Sequence, residues 1–307
     1  MSTSTTTTSA TTLAPERTGW TARMADYWEL TKPRIVAMEL ITIAMGFYLA
    51  AAADWSGWVL FATCLGTGLV AGSASTLNMW LERHLDALMN RTANRPLPAQ
   101  RLRPTEALVF GSVLLVAGAL LLAAGPGVPT LLLGIGCWIL YVVIYTPLKT
   151  RSTLNTAVGA ASGSLPIVMG WVAAGGEFGL SALSLFGVLY LWQYPHFMAI
   201  AWRCRDDYQR AGYVMSTTVD PTGRRAGIEA IVGSLLLLPV SLIPAWLASS
   251  TLLAALYLGW AVLLSVVYIW ASVAFARSPG DATSRTLLRA SLLYLPLWIL
   301  GLLLVAV

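Results

Sequence analysis

A chain of 307 residues that is 57% apolar and only 11% charged lacks the charged surface, roughly a quarter of all residues, that a water-soluble domain carries. Its mean hydropathy of +0.71 excludes a soluble globular enzyme and points to a protein that crosses the bilayer many times. The net charge of +5 is accounted for by loop arginines and does not signal a nucleic-acid partner.

The first 27 residues open MSTSTTTTSATTLAPER. This Ser/Thr-rich run has neither the apolar core of a secretory signal nor the several arginines of a transit peptide, and it is expected to be a disordered cytoplasmic tail. The remainder, 28–307, is expected to be one all-α polytopic domain. Nine apolar spans are predicted, at about 35–53, 58–77, 106–124, 129–146, 154–174, 181–202, 227–248, 252–274 and 286–306, each near the ~20 residues a bilayer core demands. Helices are required because a lone strand facing lipid leaves its backbone unpaired. Pro166, Pro195, Pro239, Pro244 and Pro296 fall inside spans and predict kinks. The loops alternate in charge. Lys32/Arg34, 83–103, Lys149/Arg151, 203–225 and 277–289 carry cations, whereas the connections near 54–57, 125–128, 175–180 and 249–251 carry only Asp54 and Glu177 as charges. All 19 Lys and Arg residues thus fall on one side, predicted to be cytoplasmic, with the N-terminus inside and the C-terminus outside. The 13 Trp and 11 Tyr suit anchoring at the membrane interfaces.

The most polar run between two spans is NMWLERHLDALMNRTANRPLPAQRLR, residues 78–103. Asn78, Glu82 and Asp86 recur every fourth residue, so on a helix they form one oxygen-bearing stripe about 12 Å long. Arg91, Arg95, Arg101 and Arg103 follow. Oxygen ligands beside guanidinium groups suit a magnesium-bridged phosphate or diphosphate, because Mg²⁺ takes one or two carboxylates plus substrate oxygens and Arg grips phosphate bidentately. From spacing alone, a solvated helix end with Glu/Arg pairs accounts for the pattern equally well.

Further along, YTPLKTRSTLN (145–155) places Tyr145 and Lys149 four residues apart, with Arg151 behind. It reads either as further phosphate donors or as an ordinary positive-inside anchor. The segment 191–225 puts Gln193 and His196 around Pro195 at membrane depth, where polar groups are candidates for function. Asp206 and Asp207 follow beside Arg203, Arg205 and Arg210, as a second acidic cluster or a salt-bridged helix end. Glu39 and Glu229 lie near the cationic edge of their spans and are possible cavity-lining residues. Cys64, Cys137 and Cys204 match no metal or CxxC spacing and read as packed, reduced thiols. The glycines of 66–72 and 159–163 suit close helix packing.

Taken together, these segments resemble the UbiA superfamily of intramembrane prenyltransferases. That family carries an Asn/Asp-rich motif after the second span, a YxxxK element after the fourth and a second acidic motif after the sixth. Here they correspond to Asn78, Glu82 and Asp86, to Tyr145 and Lys149, and to Asp206 and Asp207. Within the superfamily, TKPRIV (31–36), DALMNRTANRPLP (86–98), 145–171 and LWQYPHFMAIAWRCRDDYQRAG (191–212) resemble the branch that farnesylates haem. Quinone-forming relatives have DxxxD where this chain has the last of these strings. The resemblance covers about 28–240. Two departures stand out: Glu82 occupies a position that is often Asp, and Glu39 one where an apolar residue is expected.

The resemblance implies a nine-helix bundle of UbiA type around a cavity, with a polar cap on the cytoplasmic side of a bacterial plasma membrane. It implies transfer of farnesyl from farnesyl diphosphate to a vinyl group of haem B, with water added and diphosphate released. Asn78, Glu82 and Asp86 would hold Mg²⁺ and act with Lys149 in catalysis. Asp206 and Asp207 would hold a second ion, and Arg91, Arg95, Lys149 and Arg151 would neutralise diphosphate. His196, Gln193, Arg203 and Arg205 would meet the haem. A haem A synthase is the partner suggested by pathway logic. The competing readings are prenylation of an aromatic quinone precursor, which shares the donor site, and a non-catalytic transporter, which would place its charges at the bilayer midplane.

Overall fold

A computed structural model describes residues 19–51 and 55–305; residues 1–18, 52–54 and the last two of the chain lie outside it, and with them most of the expected tail and the ends of the first and last predicted spans. The chain is helical from Trp20 onward. Helix α1 (Trp20–Leu30) precedes α2 (Pro33–Ala50), α3 (Gly57–Asp86) and α4 (Pro104–Ala124). Helix α5 (Val128–Trp138) passes into a π-helical stretch (Ile139–Tyr145) and one short turn, α6 (Thr146–Leu148). Then come α7 (Asn155–Ala173), α8 (Leu180–Arg203), the short α9 (Arg205–Arg210) and α10 (Ser216–Val219), α11 (Arg224–Leu242), a 3-10 stretch (Ile243–Leu247), α12 (Thr251–Arg277) and α13 (Asp281–Val305).

Helix starts follow local chemistry. Proline opens α2 and α4, where its missing N–H costs nothing, and the Ser250 hydroxyl accepts from the Leu253 amide to cap α12. Among the described residues eight helices are long and apolar enough to cross a membrane. The remaining expected span, the sixth, is α8, with 24 residues, about 36 Å at 1.5 Å per residue; Gln193, Pro195 and His196 lower its hydropathy. Four of the five prolines expected to kink spans, Pro166, Pro195, Pro239 and Pro296, lie within helices. Pro244 instead sits in the 3-10 stretch that ends α11, because its ring cannot continue the hydrogen-bond ladder.

The tail boundary drawn at residue 27 falls inside α1, an amphipathic helix laid against the polar end. Arg101 reaches back to Asp26 at 2.8 Å and Glu29 at 2.7 Å, and Arg23 meets Glu106 at 2.6 Å.

The bundle has two halves. Helices α2, α3, α4, α5 and α7 form the first; α8, α11, α12 and α13 share the largest apolar core, with Tyr257, Tyr268, Phe275 and Trp298 fully buried. Two buried polar side chains are paired there: Tyr257 donates to the Ser241 carbonyl at 2.7 Å, and Trp298 Nε1 to the Tyr257 hydroxyl at 3.0 Å. Helix α3 is the outlier in length. Its 30 residues extend about 45 Å, well beyond a ~30 Å hydrocarbon core, so its last turns carry Asn78, Glu82 and Asp86 out to the polar end.

Three connections close that end as a single cap. The Val214 amide donates to the Lys149 carbonyl at 2.7 Å, and Asn155 Nδ2 to the Val214 carbonyl at 2.8 Å. The Asn90 amide donates to Asp207 at 3.1 Å, while Arg210 bonds the Leu88 carbonyl at 3.3 Å. Glu229, read above as a possible cavity residue, belongs to this scaffold: it accepts from Ser216 at 2.8 Å and from Arg225 at 3.0 Å, and Arg225 also holds Thr153 at 2.6 Å.

Candidate functional site

Beneath the cap lies a cavity of about 700 Å³, and Asn78, Glu82 and Asp86 line it together with Lys32, Arg91, Arg95, Tyr145, Lys149, Tyr208 and Tyr213. The helical stripe therefore faces inward, as its four-residue period requires. Each stripe residue meets one cation. Lys32 Nζ donates to Asn78 Oδ1 at 2.9 Å, Lys149 Nζ to Glu82 Oε1 at 2.7 Å, and Arg95 Nη1 to Asp86 Oδ2 at 2.8 Å. The three rungs come from three places: the α1–α2 corner, the turn after α6 and the loop after α3.

Local structure fixes each rung. Lys32 adopts a left-handed backbone (φ 50°, ψ 58°) as it caps α2, a strained choice for a side-chain-bearing residue and one that clusters at functional sites. Asn78 is set by its second bond, from Nδ2 to Thr146 Oγ1 at 3.0 Å; Thr146 in turn donates to the Tyr141 carbonyl at 2.8 Å in the π-helical stretch. Lys149 sits over the rings of Tyr145 (4.7 Å) and Tyr213 (5.6 Å), and Arg91 lies over Tyr208 at 5.2 Å. Thr92 bonds the Asp86 carbonyl at 2.9 Å, turning the loop so that Arg95 returns to the helix end.

Electrostatics distinguish the two lysines. Burial opposes the charge of Lys149, but the Glu82 carboxylate outweighs it and holds the ammonium well above its ordinary value. Burial, then the nearby Arg95 and Lys149 charges, push Lys32 down to about 7. Around the cap, burial pushes the Tyr208 hydroxyl up to about 12.

The donor set fits a magnesium ion bound together with substrate oxygens. Asp86 Oδ1 is buried without a hydrogen-bond partner, a vacant carboxylate oxygen beside the stripe. Among the described residues no three His, Cys, Asp or Glu groups converge, so the protein offers two carboxylates and an amide rather than a closed cage. That is the incomplete site Mg²⁺ commonly occupies when phosphate completes its shell.

Other expected residues lie elsewhere. Asp206 projects outward, with its side chain 76% exposed and 3.8 Å from Arg205. Asp207 is spent on the cap, binding the Asn90 amide and Arg210, and standing 4.0 Å from Arg91. Neither lines the cavity; α9 turns Asp207 toward the loop after α3 and leaves Asp206 outside. Arg151 is exposed on the connection after α6, and Arg203 is exposed at the last residue of α8. Arg205 folds over Trp202, bonding its carbonyl at 2.9 Å and lying 3.7 Å from Asp281. Gln193 is buried between α8 and α7, giving its amide to Ala160, Ser164 and Leu189. His196 Nδ1 is 2.8 Å from Ser291 Oγ on α13, with its ring stacked on Trp192. None of these four haem candidates borders the cavity. Conversely, Lys32, Thr146, Tyr208 and Tyr213 were not singled out from sequence; the one available signal was the polar TK preceding Pro33.

Comparison with known proteins follows the same lines. The UbiA prenyltransferase family profile matches residues 40–305. The chain is 42% identical over 278 residues to a protein of Rhodopirellula baltica named protoheme IX farnesyltransferase, covering 87% of this chain and 95% of that one. It is 35% identical to the mitochondrial protein of that name from Arabidopsis thaliana, over 91% of this chain and 64% of the other. In three dimensions it superposes on a digeranylgeranylglyceryl phosphate synthase structure with a TM-score of 0.77 at 15% identity, covering 93% of this chain and 99% of that one. A UbiA homologue from Archaeoglobus fulgidus, bound to GPP and Mg²⁺, superposes with a TM-score of 0.69 at 16% identity, covering 92% and 100%.

Proposed function

The chain belongs to the UbiA prenyltransferase family, and from that premise we propose that it transfers farnesyl from farnesyl diphosphate to a vinyl group of haem B, giving haem O. The donor half is carried by one observation, the three-rung ladder of Lys32–Asn78, Lys149–Glu82 and Arg95–Asp86 lining one cavity. The acceptor half rests on close relatives over nearly the whole chain that are named for haem farnesylation.

In this reading Asn78, Glu82 and Asp86 hold Mg²⁺, and the vacant Asp86 oxygen is the group the ion would engage. Bound there, Mg²⁺ supplies Lewis-acid charge that offsets the negative charge built on the leaving diphosphate. Lys149, Arg95, Lys32 and Arg91 line the same cavity and are already ordered by their carboxylate and aromatic partners. They stabilise the diphosphate most as its charge grows, which is transition-state rather than ground-state binding. The membrane-embedded walls below keep water from the allylic cation. The polar cap faces the cytoplasm, since by the charge pattern of the sequence the Lys and Arg residues gather at that end; the home membrane in this reading is a bacterial plasma membrane.

The test is a competition. Detergent-purified protein receives farnesyl diphosphate and Mg²⁺ with equal haem B and 4-hydroxybenzoate, and the extracted products are weighed by mass spectrometry. Haem bearing farnesyl plus one water, with the phenol untouched, is the expected result. A prenylated phenol and unchanged haem would move the acceptor to quinone precursors; release of farnesol alone would leave only the donor site.

A further inference from the structure

We propose that the groove between α1 and α4 is a binding site for an anionic phospholipid, taken up from the leaflet at the polar cap. Helix α1 has two unlike edges. Asp26 and Glu29 both turn to Arg101, which holds that edge on the cap at 2.8 and 2.7 Å. Along the other edge Trp20, Met24 and Trp28 recur every fourth residue and are 75%, 42% and 66% exposed. A helix with one charged edge and one of large apolar side chains, at the polar end of a membrane bundle, lies in the interface. Trp suits that depth.

Between that apolar edge and α4 runs a groove of about 740 Å³, walled by Met24, Trp28, Thr31, Val109 and Val113. Tyr27 and Phe110 meet along it, edge to face at 5.0 Å. Val109, Val113, Val116 and Leu120 are all exposed and continue at helical spacing down α4. The groove therefore opens onto the face that this span presents to lipid. From Glu106, in the first turn of α4, to Val113 is about 10 Å along the axis, a length that takes a head group at one end and the upper part of an acyl chain at the other.

The polar mouth selects the head group. Among the described residues Glu106 is the one acid on the groove wall, and both its oxygens are engaged, one by the Arg23 guanidinium at 2.6 Å and the other by the Arg103 amide at 2.9 Å. Arg23 keeps about half of its side chain exposed, and Arg103, the residue before α4, is exposed too. Two guanidinium groups thus stand at the mouth with N–H donors left over, and Arg matches phosphate oxygens. The first 18 residues of the chain hold only Met1 and Leu13 as large apolar side chains, a poor filling for this groove. Trp28 also borders the diphosphate cavity. Its carbonyl accepts from the Thr31 amide at 3.2 Å and the Thr31 hydroxyl at 2.8 Å, just ahead of Lys32, so a seated lipid lies against the outer wall of the α1–α2 corner.

The experiment follows phospholipid retention on the full-length protein by native mass spectrometry from detergent, titrating phosphatidylglycerol against phosphatidylcholine with the same acyl chains. The wild type should hold one phosphatidylglycerol with a preference of about tenfold, the scale set by a pair of interfacial cations. Val109→Trp, at an exposed position that admits a large side chain, should fill the groove and abolish the tight retention while the protein stays folded and monodisperse. Arg23→Gln/Arg103→Gln tests the site independently: lipid should still bind, with the preference reduced to about twofold or less. Deleting residues 2–17 should change nothing. Equal affinity for the two lipids in the wild type, unchanged retention in V109W, or an unchanged preference in the Gln pair overturns the site. Tighter retention after the deletion would give the groove to the chain's own N-terminal segment, and a wild-type dimer that V109W splits would give it to a second copy. Either result also overturns the assignment.

Discussion

Glu82 and Lys149 show how one pair serves both folding and chemistry. Their side chains are 5% and 10% exposed and 2.7 Å apart, so each charge depends on the other. Removing one partner of a buried pair typically costs about 3–5 kcal/mol, whereas replacing both with apolar groups is often neutral. Lys149→Met should therefore lower the detergent melting temperature and abolish turnover. Glu82→Leu/Lys149→Met should recover much of the stability and none of the activity. A double variant as unstable as the single would show that the pair is not the source of the loss. Lys32 makes a different case. Its left-handed backbone costs an ordinary residue about 1–2 kcal/mol, and glycine would be free of that cost. Lys32→Gly is expected to leave stability nearly unchanged while weakening affinity for magnesium diphosphate by about tenfold, equal to one charge-assisted hydrogen bond of roughly 1.4 kcal/mol. Unchanged affinity in a calorimetric titration would remove Lys32 from the site.

Among the elements, α2 and α3 carry the functional burden, and their placement rests on small residues. A Cβ on Gly170 of α7 would stand 2.0 Å from the Ile43 carbonyl, and one on Gly46 of α2 would stand 2.0 Å from the Ile167 carbonyl. The two backbones thus cross in contact, each glycine receiving the other helix. Gly170→Ala must push α2 outward, at a cost of about 1–3 kcal/mol for overpacking. Because Lys32 caps α2, the same change should weaken diphosphate binding although Gly170 is remote from it. A variant destabilised but with normal affinity would uncouple the crossing from the site. The π-helical stretch plays the corresponding part in the fourth span, where the Thr146 hydroxyl that fixes Asn78 returns to the Tyr141 carbonyl.

For the whole molecule, the charge pattern makes a claim about orientation: a cysteine introduced at Glu177 should react with an impermeant maleimide added to intact cells, and one at Asp220 only after the membrane is opened. The reverse labelling would invert the topology. Much of this architecture was legible in the sequence, because a bilayer forces long apolar helices and a four-residue period forces Asn78, Glu82 and Asp86 onto one face. Lys149 was legible only through the resemblance of its spacing from Tyr145 to the family's YxxxK element. What stayed hidden depended on long-range contact. Lys32 looks like any anchoring cation until its partner, 46 residues away, is placed beside it. Asp206 and Asp207 look alike in sequence until α9 turns Asp207 to the cap and Asp206 outward, and α1 follows a tail whose composition gives no warning of a helix. The central claim is that the α3 stripe holds the metal on which diphosphate departure depends, and Asp86 tests it most directly because its second oxygen has no structural partner. We would measure haem farnesylation by Asp86→Asn across a magnesium titration, beside wild type with and without EDTA. The account predicts a folded variant with its rate reduced by at least about a hundredfold, near the loss of a single transition-state electrostatic group, and a wild type silenced by EDTA. A variant that reaches the wild-type rate at ordinary magnesium, or a wild type indifferent to EDTA, would contradict it.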